Sequence, residues 1–183
     1  MILRLLRLAL WIAVLVPFAA VAQADRELAE MRIKAAFLYR FSGFVEWPPS
    51  AFARKESPFV IGVIGADALA DELEQAVAGR DAQGRAVVVR RLRRGESFAG
   101  LHVLFIGQAI TARLAEILGA ARGHAVLTVT ESDDALAQGS MINFVEVDNK
   151  VRFDVGLPEI ELANLRVSAR LLAVARKVVP IPS

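Results

Sequence analysis

Apolar residues recur along the first part of the chain at helical spacing. From Asp25 to Trp47 they fall on two neighbouring helical rows, and the few charged residues lie on the remaining side. This pattern predicts a long, mostly buried helix with Asp25 as its N-terminal cap. Pro48-Pro49 is predicted to end the helix, because proline lacks the amide hydrogen and disfavours helix in the residue before it.

The middle of the chain alternates short apolar runs with amphipathic stretches. Continuous apolarity, rather than alternation, is typical of strands that are covered on both faces. The predicted strands are Phe59–Ile64, Arg85–Arg91, Leu101–Ile106 and Ala125–Val129. The predicted helices are Asp67–Ala78 and Ala109–Arg122, with short helical turns at Ser132–Gln138. Strand, helix and strand repeated in this order predict crossover units and a largely parallel sheet.

Near the C-terminus the pattern changes to that of a β-hairpin. Met141–Val147 and Lys150–Val155 flank Asp148-Asn149, two residues that tolerate the positive φ of a tight turn. A two-residue turn fixes the register of both strands. The predicted pairs are Ile142–Val155 and Phe144–Phe153 on one face, and Asn143–Asp154 and Val145–Arg152 on the other. The first face is apolar and is predicted to pack on the core.

Two short helices are predicted to close the fold, at Pro158–Ala163 and at Ser168–Lys177, with Ser168 as the cap of the second. Val178–Ser183 is predicted to be a tail. No repeat or linker divides residues 25–183. The predicted fold class is α/β: a single-domain layered sandwich with a largely parallel sheet, a C-terminal antiparallel hairpin and helices on both faces.

Residues 1–24 have the features of a cleaved signal peptide. Arg4 and Arg7 precede an apolar segment, and small residues allow cleavage after Ala22 or Ala24. The apolar segment is about 14 residues long, short of the roughly 20 that cross a bilayer, so cleaved export is favoured over a membrane anchor. The predicted division is a signal peptide at 1–24 and an exported α/β domain at 25–183.

Charge and cysteine content narrow the chemistry. The chain has 22 Lys+Arg and 20 Asp+Glu, and Arg4 and Arg7 lie in the leader without an acid, so the remainder is balanced. A balanced charge argues against nucleic-acid binding, which needs a basic surplus or a strong patch. Cysteine is absent, which excludes disulfides and Cys-based zinc sites. With only His102 and His124, a multi-histidine metal centre is also excluded, and no cofactor is predicted.

The motifs that could carry chemistry are weak. Gly62–Asp67 follows a strand but lacks the spacing of a phosphate-binding loop, and no serine lies in a nucleophile-elbow context. The arginine run from Arg85 to Arg94 is interpreted as a solvated strand edge in preference to an anion or partner patch. Phe44 and Trp47 are the most informative residues, since aromatic side chains anchor protein interfaces. Trp47, at the predicted helix end, is expected to be partly exposed.

Several segments resemble, in order, the YfiR family of domains (DUF4154). They are KAAFLYRF at 34–41, FVEWP at 44–48, IGVIG at 61–65, HVLFI at 102–106, LTVT at 127–130, GSMINF at 139–144, VRF at 151–153 and SARLL at 168–172. The resemblance covers essentially all of residues 30–178. No single motif is decisive, but the ordered set is specific, so the chain is identified as a member of this family.

The resemblance implies a periplasmic α/β protein, often dimeric, with no established enzymatic activity. The best-studied member represses an inner-membrane diguanylate cyclase by binding its periplasmic sensory region, which connects envelope signals to cyclic-di-GMP output and biofilm formation. Two departures matter. The cysteines that support redox sensing in that member are absent here, and Gly156 stands where many relatives have asparagine in Arg-Phe-x-Ile-Asn-Leu.

The leading hypothesis is a periplasmic regulator, not an enzyme, that binds and inhibits the sensory domain of an inner-membrane diguanylate cyclase. Such a protein acts by binding one conformation of the receptor and shifting its population. The predicted partner-binding residues are Phe44, Trp47, Arg166 and Arg170. A homodimer is a second expected association.

Two other hypotheses stay open at this point. The first is a periplasmic small-molecule-binding sensor module for another membrane receptor or kinase. Its pocket would lie at the carboxyl ends of the strands, near Gly65, Gly107 and Glu131. The second is a hydrolase, which needs a base hydrogen-bonded to a nucleophile.

Overall fold

The computed structural model describes residues 23–181, so the greater part of the predicted leader lies outside the described residues. The strands are β1 Val45–Glu46, β2 Phe59–Ile64, β3 Asp81–Ala82, β4 Arg85–Arg91, β5 Val103–Ile106, β6 Leu127–Thr130, β7 Ile142–Val147, β8 Lys150–Gly156, β9 Arg166–Val167 and β10 Lys177–Val179. The α-helices are α1 (residues 23–41), α2 Asp67–Val77, α3 Leu114–Ala121, α4 Leu157–Leu162 and α5 Ala169–Val174. Short 3-10 helices occur at Pro49–Ala51 and Gln108–Arg113.

One mixed sheet forms the middle of the molecule. Its strand order is β10-β8-β7-β6-β5-β2-β4-β3. Five neighbouring strands from β7 to β4 are parallel, whereas β8 is antiparallel to β7 and β3 is antiparallel to β4. A separate two-stranded ribbon is made by β1 and β9. The predicted α/β class, with its largely parallel sheet and antiparallel hairpin, is confirmed.

Helices cover both faces of the sheet. The alternation along β5 divides the core, since Val103 and Phe105 face the cluster under α1 and α2, while Leu104 and Ile106 face the cluster under α3. The central strands are therefore buried on both sides, which explains their continuously apolar sequences. Within residues 23–181, no helix has both the length and the apolarity needed to cross a bilayer.

The hairpin follows the register predicted from its turn. Ile142 pairs with Val155, Phe144 with Phe153, Asn143 with Asp154 and Val145 with Arg152. Asp148 and Asn149 have φ of 50° and 56°, which is the left-handed conformation that the tight turn needs. The Phe144–Phe153 face packs against Phe37 and Phe41 of α1, with ring centroids 5.4–6.1 Å apart.

The first helix differs from its prediction at both ends. It is already helical at residue 23, so Asp25 is not its cap, and it ends at 41 instead of Trp47. A turn follows, in which the Ser42 and Phe44 amides donate to carbonyls three residues back. The Ser42 hydroxyl also donates to the Tyr39 carbonyl at 2.6 Å. Serine competes for helix carbonyls in this way, and the turn redirects the chain into β1.

The C-terminal segment also differs, because the predicted tail contains β10. The predicted closing helix stops at Val174, and its N-terminal cap Ser168 is confirmed by the 3.3 Å bond from the Leu171 amide to its hydroxyl. Arg176 then donates its amide to the Phe153 carbonyl and its guanidinium to Asp154. These long-range bonds hold β10 parallel to β8, and no local sequence pattern predicts them.

Candidate functional site

The β1–β9 ribbon brings together segments from opposite ends of the chain. Val45 pairs with Val167 and Glu46 with Arg166, and the Ser168 amide donates to the Phe44 carbonyl at 2.8 Å. β1 follows directly from the turn after α1, and β9 connects α4 to α5. The predicted partner residues Phe44, Trp47 and Arg166 are therefore neighbours across this ribbon.

Trp47 is buried, contrary to the expectation of partial exposure. It is 8% exposed, its indole nitrogen donates to the His102 carbonyl at 3.0 Å, and its ring meets Phe59 edge-on at 4.9 Å. The expectation assumed that a helix end would leave the ring at the surface. Because α1 ends earlier, β1 carries Trp47 back over the sheet instead. Trp47 thus positions the ribbon and offers little surface to a partner.

The two predicted arginines are at the surface. Arg166 is exposed on β9, and Arg170 is exposed in the first turn of α5. Neither guanidinium forms an ion pair with another residue of the described part of the chain. Phe44 is partly buried and packs against the core. Two unpaired cations at the edge of the ribbon favour contact with an acidic surface.

A groove extends from the ribbon along one end of the sheet. Its first part has a volume of about 660 Å³ and is lined by Trp47, Pro48, Glu161 and Arg166, among others. The second part, about 470 Å³, shares Pro48 and Asn164 with the first and continues to His124. Leu162 lines this second part and is 74% exposed. The two parts of this groove, together with strands β1 and β9 that border it, are called the ribbon groove.

His102 connects the ribbon to the sheet but does not form a catalytic pair. Its ring is stacked between Phe52 and Phe59 at centroid distances of 4.3 and 4.9 Å, and its Nδ1 accepts from the Val60 amide at 3.0 Å. Within residues 23–181, neither His102 nor the exposed His124 is hydrogen-bonded to a serine, a threonine or a carboxylate. The hydrolase hypothesis therefore receives no support from the histidines.

Acid is expected to destabilise the fold through His102. Burial lowers the pKa of His102 to about 4, and the positive charge of Arg85 acts in the same direction. In the folded state the His102 ring therefore stays neutral down to about pH 4. In the unfolded chain the same ring binds a proton below the usual histidine pKa of 6.5. Stability from this group is complete above about pH 6.5 and falls as the pH drops towards 4, by on the order of 2–3 kcal/mol.

Urea unfolding at several pH values measures this effect, with His102→Asn as the matched variant. The asparagine Oδ1 can replace Nδ1 as the acceptor for Val60, but it does not titrate. The difference in unfolding free energy between wild type and variant should shrink between pH 6.5 and 4. A difference that is constant over this interval would contradict a neutral buried His102.

The carboxyl ends of the central strands are closely packed around Gly107 and Glu131, two of the three residues at which the small-molecule pocket is predicted. An ideal Cβ on Gly107 would lie 2.3 Å from the Gly65 carbonyl oxygen, and the Ile110 side chain packs against Gly65. Glu131 is occupied by Lys34, whose ammonium lies 2.6 Å away, and by the Gln108 amide at 3.1 Å. A cavity of about 390 Å³ is lined by Gly65 and Ile110, among others, but not by Gly107 or Glu131, so the three predicted residues do not share one pocket.

A solved structure gives a remote match to the fold. It is a conserved domain protein from Vibrio cholerae O1 biovar El Tor, with 11% sequence identity and a TM-score of 0.51. The match covers 66% of this chain and 54% of that chain, so the present chain spans about half of that protein. A search of curated proteins finds no significant match.

The family comparison covers most of the chain. The model described as DUF4154, YfiR/HmsC-like, matches residues 31–176, which include α1 from residue 31 onwards, every strand of the sheet except β10, and both strands of the ribbon. The order of segments noted in the sequence is thus the order of one family domain. The chain belongs to the YfiR/HmsC-like family, whose domains are periplasmic and regulatory rather than catalytic.

Proposed function

We propose that this protein binds the periplasmic sensory domain of an inner-membrane diguanylate cyclase and inhibits the cyclase. The proposed domain is residues 25–183, exported after removal of residues 1–24. Membership of the YfiR/HmsC-like family supports the regulatory role. The observation that carries the choice of surface is the pairing of β1 with β9, which joins the Phe44–Pro48 segment to Arg166.

The ribbon groove has the composition of a protein contact surface. Apolar surface is available at Leu162 in one part of the groove, Arg166 lines the other part, and Arg170 is exposed on α5. Protein interfaces commonly combine an apolar centre with a polar rim. Binding there can inhibit only if the regulator prefers one conformation of the receptor, and the shift is limited by that preference. The partner surface is expected to be acidic where it meets the two arginines.

Charge reversal on the ribbon is expected to weaken this complex. Arg166→Glu and Arg170→Glu should each reduce the affinity for the cyclase sensory domain at least about tenfold, because each replaces an attraction with a repulsion. Both side chains are exposed, so the fold should tolerate the changes. Affinity is measured by calorimetry with the periplasmic sensory domain of an inner-membrane diguanylate cyclase from the same organism.

Arg152→Glu is the control, since Arg152 is exposed on β8, outside the lining of the ribbon groove. Trp47→Ala is unsuitable as a surface test, because the buried indole supports the fold. Absence of binding by the wild-type protein would remove the proposed partner. Wild-type affinity in an Arg166→Glu/Arg170→Glu double variant would remove the ribbon as the binding surface.

A further inference from the structure

A second cavity lies on the outer face of the β7–β8 hairpin. It has a volume of about 530 Å³ and is bounded by the turn at 133–137, the start of α4 and β10. Its lining shares no residue with either part of the ribbon groove. The volume falls in the range of ordinary small-molecule sites, roughly 300–1,000 Å³. The function proposed above makes no use of this cavity.

Asn143 provides a fixed, unused hydrogen-bond donor in this cavity. It lines the cavity and is 6% exposed. Its Oδ1 accepts from the Thr130 hydroxyl at 2.7 Å and from the Ser132 amide at 3.1 Å. A backbone amide can only donate, so the oxygen must face Ser132 and the NH₂ group must face the other way. No residue between 23 and 181 accepts a hydrogen bond from this NH₂ group.

Asp154 lies opposite Asn143 in the hairpin and is already neutralised. Arg176 donates to both of its carboxylate oxygens, from Nε at 2.8 Å and from Nη2. The Arg176 side chain is 45% exposed, so its remaining hydrogens are free to bind a second acceptor. The cavity therefore offers two neighbouring donor groups, the Asn143 amide and the outer part of the Arg176 guanidinium.

The charges around the cavity select against an anion. Four carboxylates and two cations line it. Asp133 and Asp134 are exposed at its rim and can accept hydrogen bonds. A ligand must therefore accept from Asn143 and Arg176 and donate to the rim carboxylates without carrying negative charge. A hydroxyl group does both, and several adjacent hydroxyls are the defining feature of a sugar.

Gly156 leaves room for such a ligand. Residues 154 and 156 share one face of β8, because side chains alternate along a strand, and Gly156 lines the cavity together with Asp154. An ideal Cβ at 156 would lie 3.2 Å from the Ser140 carbonyl oxygen and 3.6 Å from Leu136 Cδ2. Any larger side chain at this position would occupy the cavity next to Asn143.

We propose that this cavity binds a neutral, polyhydroxylated small molecule of the size of a mono- or disaccharide. Asn143 and Arg176 donate to its oxygens, and the carboxylates of Asp133 and Asp134 accept from its hydroxyls. Gly156 provides the space. The site is independent of the ribbon groove, so it stands or falls separately from the proposed cyclase binding.

The test uses the purified protein and three named probes, D-glucose, D-galactose and N-acetyl-D-glucosamine. Each is titrated by calorimetry and by following the side-chain amide signals of asparagine in ¹⁵N NMR spectra. At least one sugar is expected to bind saturably and to shift the Asn143 NH₂ signals. Gly156→Asn should weaken that binding at least about tenfold, because the added side chain fills the cavity.

Gly119→Asn is the matched control, since a Cβ there meets no atom within 4 Å and the position lies on α3, outside the cavity lining. Thermal melting checks that both variants fold, and the wild-type NMR titration decides the matter if Gly156→Asn does not. Failure of all three sugars to bind at tens of millimolar would overturn the proposal. Equal sugar affinity in Gly156→Asn, or binding of sodium acetate in place of the sugars, would overturn it as well.

Discussion

Phe153→Ala is expected to lower the free energy of unfolding by about 3–5 kcal/mol, the usual cost of emptying a buried aromatic position. Phe153 is 1% exposed and lies at the centre of an aromatic cluster. Its ring meets both Phe37 and Phe41 of α1 edge-on, with centroids 5.4 Å apart in each case. Edge-on contacts of this kind add to the stabilisation from burial alone.

This loss is a large share of the 5–15 kcal/mol by which natural domains are stable. Urea unfolding followed by circular dichroism gives the free energy directly. Phe153→Leu keeps most of the apolar volume and should cost clearly less, and Arg152→Ala, at the exposed neighbouring position, should stay near wild type. A loss below about 1 kcal/mol in Phe153→Ala would mean that α1 does not pack on the hairpin as described.

The aromatic cluster also connects stability to the ribbon groove. Phe41 is the last residue of α1, and the turn that follows it leads directly into β1. Loosening α1 from the hairpin should therefore disturb β1 before it disturbs the parallel strands. Binding of the Phe153→Ala variant to the cyclase sensory domain is best measured under conditions in which the variant is still folded. A weaker complex then reports a change in the ribbon groove and not unfolding of the protein.

The hairpin could be predicted from sequence to the level of residue pairs, and the reason is local. Asp148-Asn149 forms a two-residue turn, and such a turn leaves one register for the strands on either side. The predicted cap at Ser168 has the same character, since its partner, the Leu171 amide, is three residues away. Both features depend only on residues that are close together in the chain.

The ribbon could not be predicted, because its two strands are two residues long and far apart in the chain. Val45–Glu46 carries no alternation that reveals a strand, and the apolar pattern before it continues that of the helix. The Ser42-Gly43 pair is the local signal for the helix end, since serine and glycine together commonly mark turns. The sequence points to Phe44, Trp47 and Arg166 one by one, and only the pairing of β1 with β9 brings them together.

The two donors of the second cavity were missed for a related reason. The sequence places Asn143 on the polar face of the hairpin, whereas its bonds to Thr130 and Ser132 come from a neighbouring parallel strand and the loop after it. The sequence predicts Arg176 within the closing helix, whereas it precedes β10 and pairs with Asp154. Both roles depend on tertiary contacts that no period along the sequence encodes.

Gly107→Ala is expected to destabilise the fold by at least about 2 kcal/mol, although the change adds one methyl group. Strands β2 and β5 end side by side, and the Gly107 amide donates to the Ile64 carbonyl at 2.9 Å. In this arrangement of the two strand ends, an ideal Cβ on residue 107 would lie 2.3 Å from the Gly65 carbonyl oxygen and 2.7 Å from the Ala66 Cβ. The nearest obstacle is backbone, so it cannot move aside as a flexible side chain would.

Gly119→Ala provides the matched comparison, because the same methyl group meets nothing within 4 Å on the surface of α3. There the change should stabilise by about 0.5–1 kcal/mol, since alanine is favoured over glycine inside a helix. Thermal and urea unfolding should therefore show changes in stability of opposite sign for the same glycine-to-alanine substitution at the two positions. If Gly107→Ala were as stable as wild type, the strand ends near Gly65 would have to be further apart than described.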